Sequence, residues 1–342
     1  MAGLFGLGGA FFLAWSNIAA RKGMLGGNVL GAGLITLGVN VILYIPAFLL
    51  FRAYAGGPAV VSAGLLVMTL AGLVNTTGRF FFFAGISRIG PPRAAVFRTI
   101  QPILTLFIGL IVLGEWPGPA SLIGLLAVVS GMFLLASETA RLDEYRTSRP
   151  VFAAAPPLTG GASPVSVESP AATVPTPPAA SAAPSPGGSF LGLRGSGRIG
   201  MALALGGALF FAGGDVVRKW ALNLIPDPLL GSVVGSSVSF ALVALLAGLT
   251  GRLGGILGAS RETMGHYLWS GVLNTLGLFF YFIALLRSPA AVVAALVCTE
   301  SLWSILLSRF LLRKDEIITP RLVISAVVVM GGAVTILLRT GG

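Results

Sequence analysis

Long apolar runs separated by short polar segments dominate the chain. A helix rises about 1.5 Å per residue and the hydrocarbon core of a bilayer is about 30 Å thick, so runs of this length can cross it as helices. The pattern therefore predicts ten transmembrane helices, approximately at residues 4–20, 30–51, 65–86, 94–113, 121–136, 201–217, 229–249, 268–286, 290–312 and 322–338.

A segment of different composition lies between the fifth and sixth apolar runs. Residues 141–198 are rich in Pro, Ala, Ser and Gly. Such a composition buries too little apolar surface to offset the entropy lost on ordering, so we predict a disordered linker. The chain then divides into a first five-helix repeat at residues 1–140 and a second at residues 199–342.

The two halves resemble each other at a nearly constant shift of about 199 positions. The match is closest in the third helix of each half, where Asn75-Thr76 recurs as Asn274-Thr275. Because each half has an odd number of spans, the second copy enters the membrane in the opposite orientation. The sequence thus predicts an all-α integral membrane protein, whose ten transmembrane helices form a 5+5 inverted-topology repeat.

The composition supports this picture and excludes several classes of function. Hydrophobic residues make up 55% of the chain and charged residues only 10%, with a mean hydropathy of +0.94. The net charge of +11 is scattered in ones and twos, as expected beside anionic lipid headgroups, and does not indicate nucleic-acid binding. One cysteine and one histidine give no disulfide and no metal site. Without a catalytic cluster or phosphate loop, we expect neither an enzyme nor a cofactor.

Two short motifs and the duplication carry a family resemblance. Pro102 lies within the fourth span in Thr99-Ile-Gln-Pro102, and Leu113-Gly-Glu115 leads into the glycine-rich fifth span. On these features the chain resembles the drug/metabolite transporter superfamily, specifically its ten-helix EamA-like members. The resemblance covers nearly everything except the linker. It implies transport of amino acids, metabolites, sugars or drugs, along a pathway lined by spans one, three, four, six, eight and nine.

Polar side chains inside the spans are the candidate site residues, because a charge at the centre of a bilayer costs at least about 2.5 to 3.5 kcal/mol. Every candidate charge falls on a span that lines the pathway in the resembled family. Trp303 lies beside Glu300 as a candidate aromatic wall. We predict roles in substrate binding or coupling for Glu300, Arg79, Asn75, Asn274, Gln101, Asp215, Asn17, Arg98 and Trp303.

Glu300 lies near the middle of the ninth span, and its partner in the repeat is the neutral Gln101. Glu300 either binds an amine or exchanges a proton, or it forms a structural ion pair with Arg79 or Arg98. Arg79 either holds a carboxylate or phosphate of the substrate, or it neutralises Glu300 or Asp215. Both alternatives stay open at this point.

The other polar candidates also have two interpretations. Asn75 and Asn274 either contact substrate or bond neighbouring helices, and the second role is slightly favoured. Asp215 is close to Arg218-Lys219, so a place near the water interface competes with contact to substrate or a proton.

The sequence favours a secondary transporter that exports a small metabolite, amino acid or drug by alternating access, with proton exchange at Glu300 as the coupling hypothesis. The expected partners are a small-molecule substrate, lipid and protons, in an inner (plasma) membrane, as a monomer or homodimer. A non-transport scaffold or sensor is the alternative. The orientation stays open, because basic residues outside the spans favour external termini and the resembled family keeps its termini cytoplasmic.

Overall fold

The computed structural model describes residues 2–24, 26–89, 91–148, 197–251, 260–312 and 320–340. The regular structure within these ranges is helical and includes no strand. In chain order the helices are α1 Ala2–Met24, α2 Val29–Ala55, α3 Ser62–Ile89, α4 Pro91–Arg98, α5 Gln101–Leu113, α6 Pro119–Ser148, α7 Gly197–Leu224, α8 Pro228–Leu249, α9 Arg261–Arg287, α10 Ala290–Cys298, α11 Glu300–Leu312 and α12 Pro320–Thr340.

Eight helical stretches in the described part of the chain are long and apolar enough to cross a membrane. The last two predicted spans fall on shorter apolar helices, Ala290–Ser304 and Val323–Ile336. Many large apolar side chains point outward, such as Ile111 at 81% exposure and Leu249 at 77%, as expected of a surface that faces lipid. The prediction of an all-α membrane protein is confirmed, and the count of ten transmembrane helices stays a prediction.

The fourth predicted span is not one continuous helix. α4 ends at Arg98, Thr99 and Ile100 form a turn, and α5 begins at Gln101. Pro102 is the second residue of α5. Its nitrogen has no proton to donate to the carbonyl of Arg98, and its ring crowds that carbonyl, so the helix is interrupted here.

The ninth predicted span is interrupted at the corresponding place without a proline. α10 ends at Cys298 and α11 begins at Glu300. Between them the hydroxyl and the N–H of Thr299 both donate to the carbonyl of Leu296, at 2.6 and 3.2 Å. Such a tight turn breaks the regular helical hydrogen bonding. Each half therefore carries a polar residue, Gln101 or Glu300, at the start of its second half-helix.

The last helix of the first half is longer than the fifth predicted span. α6 continues to Ser148, eight residues into the segment 141–198 that was predicted as linker. Residues 138–144 include Glu, Ala, Arg and Leu, which are good helix formers, so α6 continues past its apolar part. Residues 149–196, with the prediction of disorder that concerns them, lie outside the described residues.

The helices of one half pack mainly against those of the other. α1 packs along α9, and α3 packs along α7. Since α1 and α3 correspond in the repeat to α7 and α9, these two crossings are copies of each other. A Cβ on Gly9 would lie 3.1 Å from the carbonyl oxygen of Gly277, and one on Gly78 would lie 3.3 Å from that of Gly207. Close approach at glycine is how membrane helices gain packing energy.

Further pairs of corresponding helices complete the bundle, because α6 packs against α12 and α2 against α8. Buried polar contacts also join a helix of one half to a helix of the other, at equivalent positions of the repeat. The hydroxyls of Thr76 and Ser239 are 2.8 Å apart, and the hydroxyl of Thr275 is 2.9 Å from the side-chain amide of Asn40. Helices at equivalent positions of the sequence repeat therefore also make equivalent contacts in the structure.

Candidate substrate-binding cavity

A cavity of about 330 Å³ lies where the two halves meet, which is near the lower end of the range for small-molecule sites. Its walls come from helices of predicted spans one, three, four, six, eight and nine, as the family resemblance implied. The lining residues are Leu13, Asn17, Asn75, Arg79, Phe82, Phe83, Arg98, Gln101, Phe211, Asp215, Arg218, Asn274, Leu278, Tyr281, Ala294, Val297, Cys298 and Glu300.

Eight of the nine residues predicted for the site line this cavity, and Trp303 does not. Its ring packs edge-on against Phe11, with centroids 5.4 Å apart, and its buried indole N–H has no hydrogen-bond partner. Trp303 is one helical turn beyond Glu300 on α11 and points towards α1. The structure therefore does not bring it to the cavity as an aromatic wall.

Glu300 joins α11 to α1 and α4. Its Oε1 accepts a short hydrogen bond from the side-chain amide of Asn17. Its Oε2 lies 3.7 Å from Nη2 of Arg98, whose side chain is 39% exposed. The pairing with Arg98 is the structural alternative named above, although an ion pair of this length with a half-exposed partner contributes little stability.

Asp215 is held more fully than Glu300. Gln101 donates to its Oδ2 at 2.8 Å, the hydroxyl of Tyr281 donates to its Oδ1 at 2.7 Å, and Arg218 lies 3.5 Å away. Only 3% of Asp215 is exposed. It lies in the interior of the bundle, and α7 continues for more than two turns beyond it.

The two carboxylates form related pairs. In the first, an amide on α1 (Asn17) meets a carboxylate on α11 (Glu300); in the second, an amide on α5 (Gln101) meets a carboxylate on α7 (Asp215). The repeat relates α1 to α7 and α5 to α11. Both amides therefore belong to the first half and both carboxylates to the second. The positions of the two pairs follow the symmetry of the repeat, but the negative charges lie only on the second half.

Arg79 faces the cavity. Among the described residues, none forms a hydrogen bond or a salt bridge with it. Its charge interacts over a longer range with Arg98, Arg218 and Glu300. The alternative in which Arg79 directly neutralises Glu300 or Asp215 is thus absent from this arrangement.

The asparagines at corresponding positions of α3 and α9 line the cavity at its sides. The side-chain amides of Asn274 and Asn40 are 3.0 Å apart, which ties α9 to α2. Asn75 lies against Gly214 of α7, whose Cβ, if present, would be 3.4 Å from the Asn75 amide nitrogen. Asn274 therefore has a helix-bonding contact, while Asn75 leaves its amide at the cavity wall.

Sequence reasoning missed Arg218, which it assigned to a segment outside the span. Arg218 lines the cavity, pairs with Asp215 and lies over the rings of Tyr281 and Phe282, at 5.4 and 5.7 Å from their centroids. The available signal was its spacing, because residues three apart on a helix are neighbours. An arginine three residues after a buried aspartate is a candidate partner for it.

A second ionic cluster lies further along α7, outside the lining of the cavity. Lys219 donates to the carbonyl of Leu285 at 2.8 Å, at the end of α9, and lies 3.6 Å from Glu115. Glu115 also accepts from the N–H of Ala290, the first residue of α10, at 3.0 Å. The lysine at the end of α9 and the carboxylate at the start of α10 both complement the helix dipoles. The cluster ties both halves together about 6 Å along α7 from Asp215.

No group of three or more metal-binding side chains occurs in the part of the chain that the structure describes. The cavity instead combines three guanidinium groups, two carboxylates and several amides with aromatic walls. Such a lining can bind a small polar solute, but it offers no nucleophile paired with a base.

The two repeats pack against each other through equivalent helix pairs and enclose a polar cavity between them. This arrangement is that of a multi-pass membrane protein of the transporter class. The chain belongs to the EamA-like transporter family, whose sequence pattern matches residues 1–137 and 198–338. This confirms the resemblance to the drug/metabolite transporter superfamily. The protein is thus a membrane transporter for a small molecule, and its family is not one of enzymes.

The other comparisons define the fold alone. No curated protein matches the chain. Among 28 matching chains of solved structures, one described only as the crystal structure of a protein superposes with a TM-score of 0.62 at 16% sequence identity. The match covers 99% of this chain and 97% of the other.

Proposed function

We propose that this protein is a secondary transporter that moves a small metabolite, amino acid or drug by alternating access, with export as its direction. The polar cavity at the junction of the two repeats carries this proposal. In transporters built from inverted repeats, the substrate site lies at the repeat interface near the middle of the bilayer. No nucleotide-binding motif is present in the sequence, so an ion or substrate gradient supplies the energy.

The proposal includes the membrane arrangement that the sequence predicted. Repeats at residues 1–140 and 199–342, each with five spans, are inverted relative to each other and tethered by the linker at 141–198. The exchange of contacts between corresponding helices supports this arrangement, because an inverted pair can swap conformations. The location is an inner membrane, where anionic lipid accommodates the scattered positive charge.

Glu300 is the residue we propose for proton coupling. Asp215 has three donors, Gln101, Tyr281 and Arg218, around its carboxylate. Glu300 has the amide of Asn17 and a long contact to the half-exposed Arg98. Glu300 has fewer donors around its carboxylate than Asp215, so a proton can replace Arg98 there with the smaller loss of contacts.

A substitution at Glu300 tests the coupling. Glu300→Gln keeps the size of the side chain and removes its titration. Uptake into proteoliposomes should then lose its dependence on a pH gradient, while exchange of substrate across the membrane continues. The control is Glu262→Gln, an exposed residue in the first turn of α9. Unchanged coupling in Glu300→Gln contradicts the proposal.

The direction and the solute class require a screen. A strain that overproduces the protein is compared with one that produces Glu300→Gln, for growth in the presence of amino acids, amines, organic acids and drugs. Selective resistance to one class, lost in the variant, supports an exporter. No change in tolerance, together with no uptake in vesicles, favours a scaffold or sensor.

A further inference from the structure

Three arginines line the cavity, but two of them are already engaged. Arg98 contacts Glu300 and lies over the rings of Phe82 and Phe211, with its guanidinium carbon 5.8 and 5.5 Å from their centroids. Cation–π contacts of this kind hold a guanidinium in place as well as stabilise it. The ion pair and the two rings together restrict the rotamers of Arg98.

Arg218 is engaged in the same way. It pairs with Asp215 at 3.5 Å and lies over Tyr281 and Phe282. Arg79 has neither a carboxylate nor a ring partner among the described residues, and it faces the cavity. Of the three guanidinium groups, Arg79 is the one that has neither an ion pair nor a ring partner in the described part of the chain.

The charges of the cavity lining do not cancel. Three guanidinium groups face two carboxylates, Asp215 and Glu300, which leaves one positive charge in excess. An uncompensated charge away from water is costly, so a ligand with one negative charge neutralises the cavity. A cationic amine would add to the excess, and it would have to displace Arg98 or Arg218 from its carboxylate.

The rest of the lining fits the organic part of such a ligand. The apolar part of the lining includes Leu13, Phe83, Leu278 and Val297. Leu278 occupies the position in the repeat that corresponds to Arg79, so the two repeats place an apolar and a charged side chain at equivalent positions of the lining. A lining that combines an unpaired guanidinium with apolar side chains matches a small molecule with an anionic head and an apolar body.

We propose that Arg79 is the substrate-binding residue for a singly charged organic anion, held by two parallel hydrogen bonds from its guanidinium to a carboxylate. The inference rests on the proposed transport function for its biological meaning, but the binding can be measured without transport. A planar guanidinium matches the two oxygens of a carboxylate, which a lysine ammonium does not.

The test is binding by detergent-purified protein of three probes of nearly the same shape. These are benzoate with one negative charge, benzamide with none and benzylamine with a positive charge. Binding is read from the rise in the thermal unfolding temperature with probe concentration. Protection of Cys298 from a maleimide gives a second reading, since this single cysteine lines the cavity.

Benzoate should bind at least about tenfold more tightly than benzamide or benzylamine. Arg79→Leu, which copies the residue of the other repeat, should abolish that preference. Arg79→Lys should weaken benzoate binding by a smaller factor and serves if Arg79→Leu does not fold. The control is Arg21→Leu, which removes an exposed arginine at the end of α1 and should leave binding unchanged.

Equal binding of benzoate and benzamide by the unaltered protein overturns the inference, as does undiminished benzoate binding in both Arg79 variants. Phenyl phosphate, with two negative charges, tests whether the cavity prefers a phosphate to a carboxylate as the anionic group. Tighter binding of phenyl phosphate than of benzoate contradicts the single charge proposed. Arg79-dependent binding without any transport overturns the proposed function alone, and transport that is indifferent to Arg79 overturns this inference alone.

Discussion

At the scale of single residues, the amide of Asn17 and the carboxylate of Glu300 can be swapped between the two positions without changing the net charge of the cavity. Asn17→Asp alone puts two carboxylates in contact and should lower the unfolding temperature. Adding Glu300→Gln should recover most of the loss, because it recreates the order of groups seen in the pair of Asp215 and Gln101. We expect a coupling free energy of about 1 to 3 kcal/mol, measured by a double-mutant cycle. Additive effects would contradict a direct contact.

The positions of the polar candidates could be predicted because burying them in lipid is costly. That cost places Asn17, Gln101, Asp215 and Glu300 on faces that avoid the bilayer. Their partners could not be predicted in the same way. Arg218 was missed because an arginine near a helix end is ordinarily at the interface, and Trp303 was included because sequence proximity to Glu300 does not determine which way a ring points.

At the scale of helices, the crossing of α3 and α7 depends on a glycine. A Cβ at Gly207 would lie 2.9 Å from both the backbone nitrogen and the Cβ of Phe82, which must move to make room. Gly207→Ala should therefore destabilise the protein by about 1 to 3 kcal/mol, seen as a lower unfolding temperature in detergent. Gly213→Ala on the same helix meets no atom within 4 Å and should be neutral or slightly stabilising. Equal effects of the two would contradict the close crossing.

The number and place of the apolar segments followed from the sequence, but their continuity did not. Pro102 signals the interruption between α4 and α5, since proline lacks a donor. The matching interruption at Thr299 has no proline and depends on a side-chain bond to the preceding turn, which many helical threonines make without breaking the helix. The extension of α6 to Ser148 is a matter of helix propensity beyond the apolar run.

At the scale of the whole molecule, the repeated sequence pattern predicts which helices correspond but not which helices are in contact. A repeat of five helices could pack within each half or across the halves. The glycines that recur as Gly9 with Gly207 and Gly78 with Gly277 allow the closest crossings to lie between the halves. The cavity is enclosed only when both halves are present, so neither half alone contains the full set of charges.

The cluster of Glu115 and Lys219 predicts how this cavity opens. Arg21 corresponds to Lys219 in the repeat but is exposed, whereas only 7% of Lys219 is exposed. The two ends of the bundle therefore differ, and we predict that the cluster holds the Lys219 end closed. Lys219→Met should release α9 and α10 at that end. A shift of about 1.4 kcal/mol towards the open state would raise the labelling rate of Cys298 by a membrane-impermeant thiol reagent about tenfold.

The design of this labelling experiment separates opening from general loosening. Lys219→Met leaves the carboxylate of Glu115 without its cation. Glu115→Gln combined with Lys219→Met removes that unpaired charge while keeping an oxygen for the N–H of Ala290. Both variants should label faster from the same side of the membrane, and Arg21→Met should not. If labelling accelerates equally from both sides, the bundle has loosened and the cluster is not a gate. If it stays at the original rate in both variants, the closed end is held by the apolar packing of α5, α7 and α10 instead.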